Sequence, residues 1–96
     1  MNYWIIAISE DNWNVIKETN KYGAPEGSRA SQLIKPGDVI IFYVKEKGAR
    51  ELGGMFVGAY EVTSQWYNEY EPLWLDEKAE YKVSYPSRIN LKPHKA

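Results

Sequence analysis

The sequence predicts an α+β domain in which one early helix packs on a small, curled, barrel-like mixed sheet. Three observations predict it. Four stretches carry the β-branched and aromatic side chains that suit a pleated surface. One stretch near the N-terminus has a helix start and helical spacing. The connections between them are irregular and punctuated by Gly and Pro, as in small α+β folds. The 96 residues fit one domain over 1–96 with a single modest core.

The elements follow in order. Tyr3–Ile8 is almost wholly apolar, so it reads as a strand buried on both faces. Ser9-Glu10-Asp11-Asn12 is a helix start, with short capping side chains and acids near the positive helix end. Trp13, Ile16 and Tyr22 face inward from this helix, and Lys17, Glu18 and Lys21 face out. Gly23-Ala24-Pro25-Glu26-Gly27 ends it in a loop. Residues 28–34 form a short helical turn, and Lys35-Pro36-Gly37-Asp38 a tight turn. Residues 39–45 are the second strand, 46–53 a charged hairpin loop and 55–63 the third strand, with Gly58 allowing a bend or close approach. Residues 75–82 read as a short helix or loop. Residues 87–92 alternate Arg88, Ile89, Asn90, Leu91, Lys92, a strand with one buried face.

Charge and composition exclude several classes. Twelve basic against thirteen acidic residues leave a net charge of −1, so no global cationic field gathers nucleic acid. The distribution is uneven: residues 17–50 hold seven basic and four acidic groups, and 61–87 six acidic and two basic. A local basic face is compatible with this, a strong phosphate binder is not. There is no Cys, which removes disulfides, thiolate chemistry and Cys-ligated zinc. The start lacks a basic region followed by a long apolar run, and the longest apolar run is far too short for a membrane span. A cytoplasmic protein is the expectation.

Four aromatic residues, Trp66, Tyr67, Tyr70 and Trp74, lie among Asn68, Glu69, Glu71 and Pro72. Large rings on an irregular polar segment read as a surface loop that lines something. Trp4, inside an apolar strand, reads as core, and Trp13 as core or pocket floor.

In order along the chain stand Asn2-Tyr3-Trp4-Ile5, the helix carrying Asn12-Trp13, the turn Lys35-Pro36-Gly37-Asp38 entering Ile41-Phe42-Tyr43-Val44, and Val57-Gly58-Ala59-Tyr60-Glu61-Val62. Together they resemble an EVE domain, a member of the PUA-like group related to YTH domains. The resemblance covers nearly the whole chain. It implies a PUA-like curled sheet and a reader of a modified base, held in an aromatic cage after flipping out of its strand. Related domains form the DNA-reading module of some modification-dependent restriction GTPases. The implied partner is therefore modified DNA or RNA, with fusion to, or association with, a restriction or other effector domain. Carried over residue by residue, Tyr22 takes the place of one cage wall, where a Trp is usual. Trp74 matches the second wall, with Trp66 as rival. Asn12, near Ser9, takes the place of the polar group that contacts the base edge. With Trp13 as pocket floor, the candidate base-binding set is Ser9, Asn12, Trp13, Tyr22, Trp66 and Trp74. Such domains run tens of residues beyond a strand ending near Pro93, so the resemblance also implies a C-terminally shortened barrel that stops before it closes.

Catalysis is not expected. His94 is the only His and lies near the end of the chain, no nucleophile–base pair can be proposed, and no Gly-rich phosphate loop is present. Neither a cofactor nor a metal is expected. Two other classes remain open on the residues: a sensor of a planar, nucleoside-like small molecule, and a protein-interaction module using the acidic 61–87 region.

Overall fold

A computed structural model describes residues 1–94; Lys95 and Ala96, the end of the expected 1–96 domain, lie outside the described residues. Among the described residues nine elements follow one another. They are β1 (Tyr3–Ile8), α1 (Glu10–Thr19), β2 (Lys21–Ala24), α2 (Arg29–Leu33), β3 (Val39–Val44), β4 (Phe56–Val62), β5 (Tyr67–Asn68), α3 (Leu75–Glu80) and β6 (Ser87–Pro93). The strands form one mixed sheet in the order β1-β3-β4-β6-β2, with β5 also paired to β6. β1 and β3 are parallel, joined through α1, β2 and α2, and the other pairs are antiparallel. The main path of the sheet ends in β1 and β2, β5 lies at a third edge among the described residues, and the sheet curls into a half-barrel. This is the expected α+β architecture, and it matches a PUA-like fold.

The core lies inside the curl. Ile40, Phe42 and Val44 alternate inward from β3, Ile89 and Leu91 from β6, and Ile16 from α1. Trp13 joins them, in contact with Phe42 and edge-on to Tyr60 at 5.9 Å. Gly58 on β4 is the reason Trp13 fits. A Cβ there would stand 2.8 Å from the indole, closer than packed carbons approach.

The turn before β3 is tied to the N-terminus by a buried carboxylate. Asp38 accepts from the Trp4 indole N–H at 2.9 Å, the Asn2 amide at 3.0 Å and the Lys35 amide at 3.0 Å. Burial pushes its pKa up, but these donors outweigh that and hold it below the usual carboxylate range. This link fixes the start of β1 beside the start of β3.

Four sequence expectations are corrected. β1 is not buried on both faces: Trp4, Ile6 and Ile8 turn inward, while Tyr3 (62% exposed) and Ile5 (66% exposed) face out. The reason is that nothing among the described residues covers the outer face of this edge strand. The helix does not run to Gly23. Asn20 adopts the left-handed conformation and ends it, so Tyr22 sits on a strand, β2, and not on the helix, and Gly23 and Ala24 are strand where a loop was expected. The aromatic stretch is not a surface loop throughout. It contributes β5, and Leu73 and Trp74 at its end are buried. Arg88 does not alternate outward on β6 but is 1% exposed, its charge met by Glu69 and Glu77.

Candidate nucleic-acid site

The C-terminal ends of the parallel strands β1 and β3 are held level by a hydrogen bond from the Lys45 amide to the Ile8 carbonyl. Beyond them opens a cavity of about 170 Å³. Its lining comes from five parts of the chain: the β1–α1 junction (Ala7, Ile8, Ser9, Asn12), β2 and the residue after it (Tyr22, Gly23, Pro25), Lys45, Trp74, and Tyr85. Carboxyl ends of parallel strands are a common place for ligands, because connections diverge there and leave a crevice.

Each wall has a local cause. Ser9 is the N-cap of α1, its hydroxyl accepting from the Asn12 amide at 3.1 Å. That cap turns the first helical residues toward the cavity. The Asn12 carboxamide makes no hydrogen bond among the described residues, so its donor and acceptor are both open to a ligand. Tyr22 rests against Phe42 at 5.9 Å, and burial raises its pKa, which keeps the phenol neutral. Lys45 is exposed and has no ion-pair partner among the described residues.

Trp74 is 2% exposed and meets Tyr22 edge to face, centroids 5.8 Å apart and planes at 69°. These two rings touch; they do not stand as parallel walls with a gap between them. The Trp74 indole N–H has no partner among the described residues, yet no fully buried polar side-chain atom is left unpaired. The small accessible part of Trp74 therefore includes that N–H.

One buried acid positions both Trp74 and Tyr85. Glu77, at the third position of α3, accepts from the Leu73 and Trp74 amides through Oε1, each at 3.0 Å. Through Oε2 it accepts from the Ser84 and Tyr85 amides at 2.9 and 3.0 Å. The Arg88 guanidinium lies 3.7 Å away and also donates to the Tyr85 carbonyl at 2.8 Å and to Glu69 at 2.8 Å. A second acid works likewise on the other side. Glu10 accepts three successive amides, Arg50, Glu51 and Leu52, and pins the β3–β4 loop next to the start of α1.

Of the six residues singled out from sequence, four come together here: Ser9, Asn12, Tyr22 and Trp74. Trp13 is packed into the core under Lys17, 6% exposed, and does not line the cavity. Trp66 lines a separate groove, its indole N–H donating to the Ile34 carbonyl at 2.8 Å. Tyr85, Lys45 and Pro25 were not foreseen. A signal for Tyr85 existed in Glu77, three residues after Trp74 as in a capping box, though only the fold shows its second oxygen on residue 85. Among the described residues no group of three or more His, Cys, Asp and Glu could hold a metal ion. Nor is any helix among them long and apolar enough to cross a membrane.

A family model, the EVE domain, matches residues 2–96. Among curated proteins the chain is similar to a UPF0310 protein of Saccharolobus solfataricus, 38% identical over 97% of this chain and 61% of the relative. It is also similar to UPF0310 proteins of Pyrococcus horikoshii (35% identical, 99% of this chain, 68% of the relative) and Pyrococcus abyssi (34%, 99% and 68%). The chain thus spans about two thirds or less of the length of these relatives.

Proposed function

The chain belongs to the EVE domain family, whose PUA-like modules bind nucleic acid, and from that premise we propose that it is a non-catalytic reader of a methylated base. The base flips out of DNA or RNA into the cavity between Ser9 and Trp74. The observation that carries this reading is the convergence of Ser9, Asn12, Tyr22 and Trp74 on one small cavity. At about 170 Å³ it lies below the roughly 300–1,000 Å³ of pockets for drug-sized ligands and suits one small ring system.

The roles follow from the geometry. Tyr22 supplies aromatic surface, and stacking is worth about 1–3 kcal/mol per base. The open carboxamide of Asn12 and the Trp74 N–H read the polar edge. A buried methyl adds about 0.8 kcal/mol, only about fourfold in affinity. Stronger selection requires the site to leave an unmodified amine hydrogen unpaired, which costs about 1–3 kcal/mol. Flipping out of a duplex costs a few kcal/mol, so single strands bind better than duplexes.

The test is titration of the chain with short single-stranded DNA and RNA carrying one N6-methyladenine, one 5-methylcytosine or no modification. One methylated probe is expected to bind at least about fourfold tighter than its unmodified twin. Tyr22→Ala is expected to weaken that probe by about fivefold or more. Trp74→Ala is the poorer variant, because removing a buried Trp costs about 3–5 kcal/mol of stability. Equal weak binding of all probes ends the reader hypothesis. Free methylated nucleosides binding as tightly as oligonucleotides would point to a small-molecule sensor instead.

A further inference from the structure

Trp66 has no place in the cavity beside Trp74, and it packs against the edge of the core without being fully buried there. It is half-buried and forms one wall of an open groove of about 360 Å³, with Ser31, Gln32, Lys35, Pro36 and Gln65. Its indole N–H is already committed to the Ile34 carbonyl at 2.8 Å, which fixes the ring, part of it packed against the core and part lining the groove. Around that surface stand two carboxamides and a cation. Gln32 makes one long contact, to the Gly27 carbonyl at 3.3 Å. Neither the Gln65 amide nor the Lys35 ammonium has a side-chain partner among the described residues. A fixed aromatic plane, amides able both to donate and accept, and a free ammonium are what a nucleotide needs: base, base edge and phosphate.

The groove is linked to the first cavity by a short piece of chain. Pro25 lines the cavity and Ser31 the groove, six residues later. Even fully extended, that segment spans no more than about 20 Å. A strand with about 3.4 Å per nucleotide covers it with roughly six nucleotides.

We propose that the Trp66 groove is a second nucleotide subsite, which stacks a base of the same single strand whose flipped base occupies the Ser9–Trp74 cavity. This rests on the nucleic-acid reading above and adds to it a path for the strand and a length requirement. Trp66 contributes stacking, Gln32 and Gln65 touch the base edge, and Lys35 meets a phosphate.

The experiment compares single strands of about three and about nine nucleotides, each carrying the preferred methylated base at one end, by fluorescence anisotropy. The longer strand is expected to bind about fivefold to 150-fold tighter, the worth of one stacked base. Trp66→Ala should remove that gain while leaving the short strand unchanged, and Trp66→Phe should keep most of it. Lys35 is exposed, so Lys35→Gln leaves folding intact. It should reduce the salt dependence of the longer strand's affinity by about 0.7 in log–log slope and leave that of the short strand alone. If Trp66→Ala proves unfolded by circular dichroism, the Lys35→Gln slope decides. A length gain that survives Trp66→Ala in a folded protein, or a slope untouched by Lys35→Gln, overturns the second subsite alone. Failure of both strands to bind the unmodified chain protein overturns the nucleic-acid reading as well.

Discussion

Glu77 shows how one side chain can hold a site it does not touch. It is 2% exposed, and burial by itself drives a carboxyl toward its neutral form. The amides of Trp74, Leu73, Tyr85 and Ser84 outweigh that, so its pKa lies below the usual carboxylate range. A folded-state pKa below the unfolded value contributes stability that is present above the ordinary range and is lost as pH falls through it. Thermal unfolding followed by circular dichroism should therefore show a midpoint that declines below about pH 4.5. Glu77→Gln keeps the shape but loses the charge, and its amide nitrogen faces amide donors. The expected cost at neutral pH is about 3–5 kcal/mol, because four amides lose a charged acceptor in a buried site and Arg88 is left with Glu69 as its one acid partner among the described residues. Below pH 4 the variant should approach the parent protein. A midpoint and an acid slope that both match the parent would show that Glu77 is not the clamp.

At the scale of elements the informative junction is Asn20. It caps α1 in the left-handed conformation, φ 54° and ψ 39°, with its amide donating to the Ile16 carbonyl at 2.8 Å. Its own carbonyl accepts from the Leu91 amide at 2.8 Å, which starts β2 alongside β6. One residue thus ends a helix and begins a strand. Asn tolerates this conformation and a β-branched residue does not. Asn20→Gly should shift the denaturation midpoint little, and Asn20→Val should cost about 1–2 kcal/mol in urea unfolding; equal midpoints for the two variants would sink this account of the junction. This junction also marks where the sequence stopped being legible. The helix start was readable because Ser9, Glu10 and Asp11 act locally. The helix end was misplaced because Gly23 looks like the stronger stop signal, and four residues of β2 have no alternation of their own. They are a strand only because β6 is there. Arg88 was unreadable for the same reason: its partners come from residues 69, 71, 77 and 85. In the cavity, the residues on or near α1 and the Trp74 ring could be named from the chain. Lys45 and Tyr85 reach it only through tertiary pairing, and the rivalry of Trp66 with Trp74 dissolves because they line different hollows.

For the whole molecule the decisive property is how few of its cations line the cavity and the Trp66 groove. The net charge is −1, so attraction is local and short-ranged. Three of the twelve basic side chains are seen engaged in ion pairs within the protein. Arg88 is paired with Glu69 and Glu77, Lys21 with Glu69, and Arg50 with Asp11 and Glu10. Of the basic side chains that line the cavity and the Trp66 groove, Lys45 and Lys35 have no ion pair among the described residues. Two phosphate contacts on a single strand predict a log–log salt slope of about −1.4. Raising salt from 50 to 200 mM should then weaken the long methylated strand by about sevenfold, a shallow dependence for a nucleic-acid binder. Affinity must come mainly from aromatic surface and from hydrogen bonds at the base edge, which salt screens little. Anisotropy titrations at four salt concentrations measure the slope directly. A slope steeper than about −4 would mean that an extended basic surface, built from residues such as Lys17, Arg29 and Lys47, carries the binding, and the two-subsite strand path would have to be abandoned. A slope near −0.7 would leave a single phosphate contact and assign it to Lys45 or Lys35 according to which substitution flattens it.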